Sequence, residues 1–150
     1  MEKINWINGQ AGGTPLSAEN LNQMQDNIEK EIEGKVLYEN ANGDNSGNIN
    51  LNDSVSNYDE VKIDYVVTAG DYKITESKKV PVLSGANIGL TCFMAHSESL
   101  QLLVIGRYSL SGALLTRIYE TRTRIAEGVS VGWDGKSTGI YITKITGYKY

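Results

Sequence analysis

The stretch "VKIDYVVTAGDYKITESKKV", residues 61–80, decides the fold. In its first half Val61, Ile63, Tyr65 and Val67 fall on every second position, so a strand would put them all on one face. "AGD" at 69–71 is too short for anything but a tight connection, and "YKITESKKV" returns as the partner strand. A period of two, a turn, and a second extended run define an antiparallel hairpin.

The same pattern spreads in both directions. Upstream, "KVLYEN" (35–40) reads as a strand, "ANGDNSGN" (41–48) as a turn cluster of residues that tolerate left-handed conformations, and "INLN" (49–52) as a short strand. "DSVSNYDE" (53–60) is a loop or short turn. Downstream, "ANIGLTCFMAH" (86–96) and "LQLLVIGRYSL" (100–110) are apolar enough to suggest strands buried on both faces. After the turn "SGA", simple alternation in "LLTRIYETRTRI" (114–125) places Leu115, Arg117, Tyr119, Thr121 and Thr123 on one face. Ile118, Glu120, Arg122 and Arg124 fall on the other. "VSVGW" and "GIYITKITGYKY" finish the chain as strands. Eight or nine short strands at this spacing predict a mainly β domain over 35–150, an antiparallel, jelly-roll-like β-sandwich.

Residues 1–34 are built differently. "GQAGGTP" cannot hold regular structure, so the first 16 residues read as an extended arm. Ser17 is a good N-cap, Leu16 and Leu21 stand where a hydrophobic staple would, and Gly34 is a natural stop. Between them Leu21, Met24, Ile28 and Ile32 recur at spacings of three, four and four, giving one narrow apolar stripe. Such a stripe suits either a seam with other copies of itself or the surface of its own β-domain. Charge divides at the same place. Of the 18 acids and 14 bases, residues 1–34 carry six acids and two bases, which leaves twelve of each in the remainder.

The whole chain has 150 residues, a net charge of −4 and a pI near 5.0. That balance argues against nucleic acid, whose phosphates need clustered cations. The start "MEKINWING" has neither a basic nor an apolar leader region, and no run approaches a membrane span, so a soluble chain made in a cytoplasm is expected. One cysteine, Cys92, excludes an intrachain disulfide.

Catalytic and metal signals are weak. The single histidine, His96, has Ser97, Glu98 and Ser99 as neighbours, but adjacent residues cannot make a triad. One His and one Cys do not make a zinc site, and "NGDNSGNIN" lacks the carboxylates of a calcium loop. Asp59 and Glu60 point to opposite faces of a strand. No cofactor, no metal and no enzymatic activity are expected. Aromatics are better candidates. Trp133, Tyr108, Tyr72 and Tyr58 stand near strand ends or turns, where an apolar ring with a polar edge suits a sugar.

The N-terminal segment "INWINGQAGGTPLSAENLNQMQDNIE" resembles one that recurs in tail-fibre, baseplate and collar-type virion proteins of tailed phages infecting Gram-positive bacteria. Trp6, Asn8, Gly9, Gly13, Thr14, Pro15, Leu16, Ala18, Glu19, Asn20, Leu21, Asn22, Met24 and Ile28 carry the likeness, over about a fifth of the chain. "KVLYENANGDNSGNINLNDSVSNYDEVKIDYVV" is similar to the start of their β-rich head domains, and "IYITKITGYKY" to the final strand. The resemblance implies a homotrimer located in the virion, with residues 1–34 as attachment arm and trimerisation helix and 35–150 as head domain. Trp6, Pro15 and Leu16 would attach to another virion protein. Leu21, Met24, Ile28 and Ile32 would form the trimer seam. The head would bind a host cell-surface glycan, without contact to nucleic acid or insertion into a membrane. A purely structural head-fibre, collar or adaptor role is the alternative. A wall-polysaccharide depolymerase using Glu120, Asp134 or Glu98 is a more distant one.

Overall fold

A computed structural model describes residues 17–69, 71–83, 87–97, 100–126, 129–132 and 138–150; side chains are described for these except 29–33, 96, 97, 100, 124–126, 129–132 and 138. Helix α1 spans Ala18–Glu33. It starts where Ser17, in extended conformation, accepts a hydrogen bond from the Asn20 amide through its hydroxyl at 3.1 Å, satisfying one of the orphan donors of the first turn. It stops at Gly34, whose φ of +71° takes the chain out of the helix. A β-carbon there would come within 3 Å of the Thr146 and Tyr148 side chains, so glycine is also what lets the helix junction lie against the sheet.

Nine strands follow among the described residues: β1 Lys35–Asp44, β2 Asn48–Asn50, β3 Glu60–Ala69, β4 Tyr72–Pro81, β5 Asn87–Ser97, β6 Leu100–Ser111, β7 Leu114–Ala126, β8 Val129–Gly132 and β9 Thr138–Tyr148. A 3-10 turn, Val55–Asn57, precedes β3. They form two antiparallel sheets, one ordered β1-β9-β3-β4 and the other β2-β7-β6-β5 with β8 beside β7. First pairs with last and second with seventh, as jelly-roll wrapping requires. However, β3-β4 and β5-β6-β7 are plain consecutive hairpins, so the strand order departs from a jelly roll. Tight turns make β3-β4 and β5-β6-β7 neighbours in space, while the chain changes sheet between β1 and β2 and between β4 and β5.

Both sheets face one core. Leu37, Ile63, Val67, Ile140 and Ile145 from the first meet Leu90, Met94, Leu102, Val104 and Leu115 from the second, all fully buried. Removing such a side chain from water contributes about 1.5–3 kcal/mol. The alternating set Val61, Ile63, Tyr65 and Val67 is buried as its period implies. Two expectations change. β5 and β6 are not buried on both faces: Ile88, Leu90, Cys92 and Met94 point inward while Phe93 is 53% exposed. The "ANGD" segment belongs to β1 rather than to a separate turn.

Of five register breaks among the paired strands, three bear on the polar clusters described below. β9 carries an extra residue, Thr143, against β3, which lets both Ile142 and Ile145 point inward although they are three apart. β7 carries an extra residue, Ile118, against β6, with Tyr119 opposite Arg107 and Arg117 opposite Tyr108. β1 leaves the ladder between Glu39 and Asp44, spending four residues where β9 spends one.

Candidate functional site

Of the aromatic positions expected to meet a ligand, the three described ones, Tyr58, Tyr72 and Tyr108, do not converge. Tyr108 is a correction. It sits on the inward face of β6, 3% exposed, because the alternation through Leu102, Val104 and Leu110 carries it into the core. Burial, and next the charge of Glu120, push its phenol well above the usual value. Tyr58 is half-buried before β3, and its hydroxyl donates to Asp53 at 2.9 Å. Tyr72 begins β4 beside the opposite turn of the same hairpin, on the surface. Trp133, Trp6, Pro15 and Leu16 lie outside the described residues, as do Glu98 and Asp134; no side chain is described for Ile32 or His96. On α1, Leu21 is half-buried while Met24 and Ile28 are each 53% exposed.

Asp53 forms a polar hub where helix and sheet meet. It accepts from Lys35 Nζ and the Tyr58 hydroxyl, both at 2.9 Å, and from the Ser54 amide and Asn57 Nδ2, both at 2.8 Å. The Lys35 hydrogen bond, then those of Tyr58 and the Ser54 amide, hold its carboxyl well below the usual range. Beside it, Val55, Ser56, Tyr58, Leu83, Leu110 and Ser111 line a mixed polar and apolar cavity of ≈ 450 Å³ open to solvent.

A second cluster sits on β7. Glu120 has a side chain only 5% exposed and lies between two guanidiniums, Arg122 Nη2 at 2.7 Å and Arg117 Nη1 at 3.5 Å. It also accepts from the Ile140 amide at 3.2 Å. Asn45 completes the group, accepting from Arg117 at 2.7 Å and donating to the Ile140 carbonyl at 2.8 Å. The Arg122 Nε is buried with no hydrogen-bond partner. With both oxygens engaged, Glu120 is a charge clamp across the two sheets.

The third feature is a groove of ≈ 580 Å³ on the outer face of the β1-β9-β3-β4 sheet. Alternation places Val66 and Thr68 of β3 opposite in sense to the buried Tyr65 and Val67. The ladder sets Tyr141 and Thr75 on either side of Val66, and Lys73 beside Thr68. The wall is the β1 bulge, where the Asn42 amide donates to Asn40 Oδ1 at 3.1 Å and Gly43 turns back at φ +76°. A β-carbon on Gly43 would stand 2.6 Å from Tyr141 Cβ, so only glycine allows the bulge to close on that tyrosine. Hydroxyls, an amide, a phenol and one ammonium over an apolar floor can bind a polyhydroxylated ligand through ring contact and edge hydrogen bonds.

Lys73 differs from the other lysines of this sheet. Lys35, Lys62, Lys79 and Lys144 pair with Asp53, Asp64, Glu60 and Glu39, and Lys78 donates to the Gly89 carbonyl at 2.7 Å. Lys73 has no such partner among the described residues. Sequence reasoning missed Tyr141, Lys73 and Asn42. The available signal was "IYIT", in which Tyr141 is the outward residue between two inward isoleucines. No group of His, Cys, Asp and Glu among the described residues could hold a metal ion, and no described helix is long and apolar enough to cross a membrane.

No known protein family matches the sequence, and no curated protein matches it either.

Proposed function

We propose that this chain is a virion protein of a tailed phage that assembles as a homotrimer through α1 and binds a host cell-surface glycan with its β-sandwich. The observation that carries the proposal is the half exposure of Met24 and Ile28 on a helix whose large apolar residues, Leu21, Met24, Ile28 and Ile32, fall on one narrow stripe. A helix this polar gains little from its own sheet and is stabilised when identical stripes meet along an axis. The N-terminal resemblance supports the virion assignment, with Trp6, Pro15 and Leu16 as attachment residues. The polar outer face of the β1 sheet supports the glycan assignment. Three weak sites on one rigid body would bind a repetitive surface far more tightly than one.

Light scattering coupled to size exclusion tests the assembly. A mass near three times 16.4 kDa is expected for the full chain. Sedimentation with Gram-positive cell walls tests the adhesion. A monomer that also fails to bind walls overturns the proposal, and a trimer that fails to bind walls reduces it to a structural virion part.

A further inference from the structure

The groove beside Tyr141 has the chemistry of a defined ligand class, and resting on the glycan-binding reading we infer that it is the saccharide site and that it selects sugars bearing an anionic group, phosphate or carboxylate. Three observations meet there. First, a concavity of ≈ 580 Å³ is large enough for one or two sugar rings. Second, it is constructed rather than incidental: β1 departs from its ladder for four residues, and Gly43 with positive φ brings that excursion against Tyr141. Bulges of this kind re-aim side chains beside binding sites. Third, the charge is complementary. The neighbouring lysines are neutralised within the sheet, whereas Lys73 enters the groove without a carboxylate partner among the described residues.

Each group has a place in the recognition. Tyr141 offers ring surface to the apolar face of a pyranose, and Val66 extends that floor by one strand. Asn42 and Thr75 stand on opposite sides with amide and hydroxyl groups for ring hydroxyls. Lys73 supplies a compact point charge, which suits a phosphate or carboxylate substituent without demanding bidentate geometry. The cavity at Leu83 also offers hydroxyls, from Ser56, Tyr58 and Ser111, but its lining holds no cation.

The test is biosensor binding of the full chain to three immobilised polymers: glycosylated poly(glycerol phosphate), a carboxylated polysaccharide (hyaluronan) and neutral dextran. Binding to an anionic polymer and not to dextran is expected, and the phosphate and carboxylate arms tell which substituent is read. Tyr141→Ala and Lys73→Met should each weaken that binding about tenfold, the loss of one well-placed contact. Lys73→Met should also flatten its salt dependence. Thr75→Glu, at an exposed position that leaves the core untouched, should abolish it and guards against a Tyr141 variant that fails to fold. Unaltered binding in Lys73→Met and Thr75→Glu overturns the groove as the site while leaving glycan binding in place. Failure to bind any of the three polymers while binding whole Gram-positive walls overturns the ligand class alone. Failure on both polymers and walls overturns the glycan reading with it.

Discussion

Arg117 and Glu120 lie on the same face of β7, with Arg117 Nη1 3.5 Å from Glu120 Oε2, although strict alternation puts residues three apart on opposite faces. The cause is Ile118. As the extra residue of the bulge it turns outward together with Tyr119, at 49% and 45% exposure, and shifts the phase of everything after it. Glu120 thereby arrives opposite Gly106, at 5% side-chain exposure, with Arg122 in the next inward place.

Glu120→Gln removes the countercharge of two partly buried guanidiniums and weakens the acceptor for the Ile140 amide. Breaking a buried pair costs about 3–5 kcal/mol, and the partial exposure of both arginines lowers that to about 2–3 kcal/mol. Denaturant unfolding should show the loss as a lower midpoint at unchanged slope. A change within about 0.5 kcal/mol would mean the clamp is neutral.

Ile118 separates side chain from backbone length. Ile118→Ser should cost about 0.5 kcal/mol or less, since the side chain is mainly in water. Deleting Ile118 should leave the fold in place, because Arg117 and Glu120 would then stand two apart and regular alternation would keep both inward, opposite Tyr108 and Gly106. Circular dichroism and amide spectra check both variants. A deletion variant that fails to fold would show that the bulge itself, and not only the pairing on either side of it, is required.

Asp53 and Lys35 predict a pH dependence. Asp53 has a lowered folded pKa, so its contribution is fully present above the ordinary carboxylate value of about 4 and is lost as pH falls through the folded value. Lys35 is raised, first by the Asp53 hydrogen bond, so the same pair's contribution is present below about pH 10.4 and fades above it. Melting temperatures of Asp53→Asn should therefore fall less steeply than those of the parent between pH 4 and pH 2 (about two units below the ordinary value). Parallel curves would remove Asp53 from the account.

Cys92 reports global unfolding. It is 4% exposed on the inward face of β5, and burial raises its thiol. Labelling with a thiol reagent at pH 8 should be negligible in buffer and complete in denaturant, with a midpoint matching circular dichroism. Rapid labelling of the native chain would place the β5 edge among locally opening regions.

Met24→Glu with Ile28→Glu tests the helix stripe. Both residues are half exposed, so the β-domain should unfold at its parental midpoint while the proposed trimer, measured by sedimentation velocity, should give way to single chains. An intact assembly would move the interface elsewhere.

Much of the architecture is legible in local pattern. The caps Ser17 and Gly34, the stripe Leu21, Met24 and Ile28, and the alternation Val61, Ile63, Tyr65 and Val67 each declare their element, because capping and periodicity are properties of consecutive residues. What pattern could not decide is where alternation breaks. Ile118, Thr143 and the segment 40–43 are extra only relative to the strand opposite, and a partner strand far away in sequence is not visible in a window of ten residues. The inward clustering of Arg117, Glu120 and Arg122, the burial of Tyr108, and the closing of β1 on Tyr141 all follow from pairing. By itself the sequence determined where the helix and most of the strands lie, residues 41–44 excepted, and which face of the alternating strand β3 is apolar. Tertiary structure decided the register, and with it which polar residues share a face, because register is the joint property of two strands meeting in space.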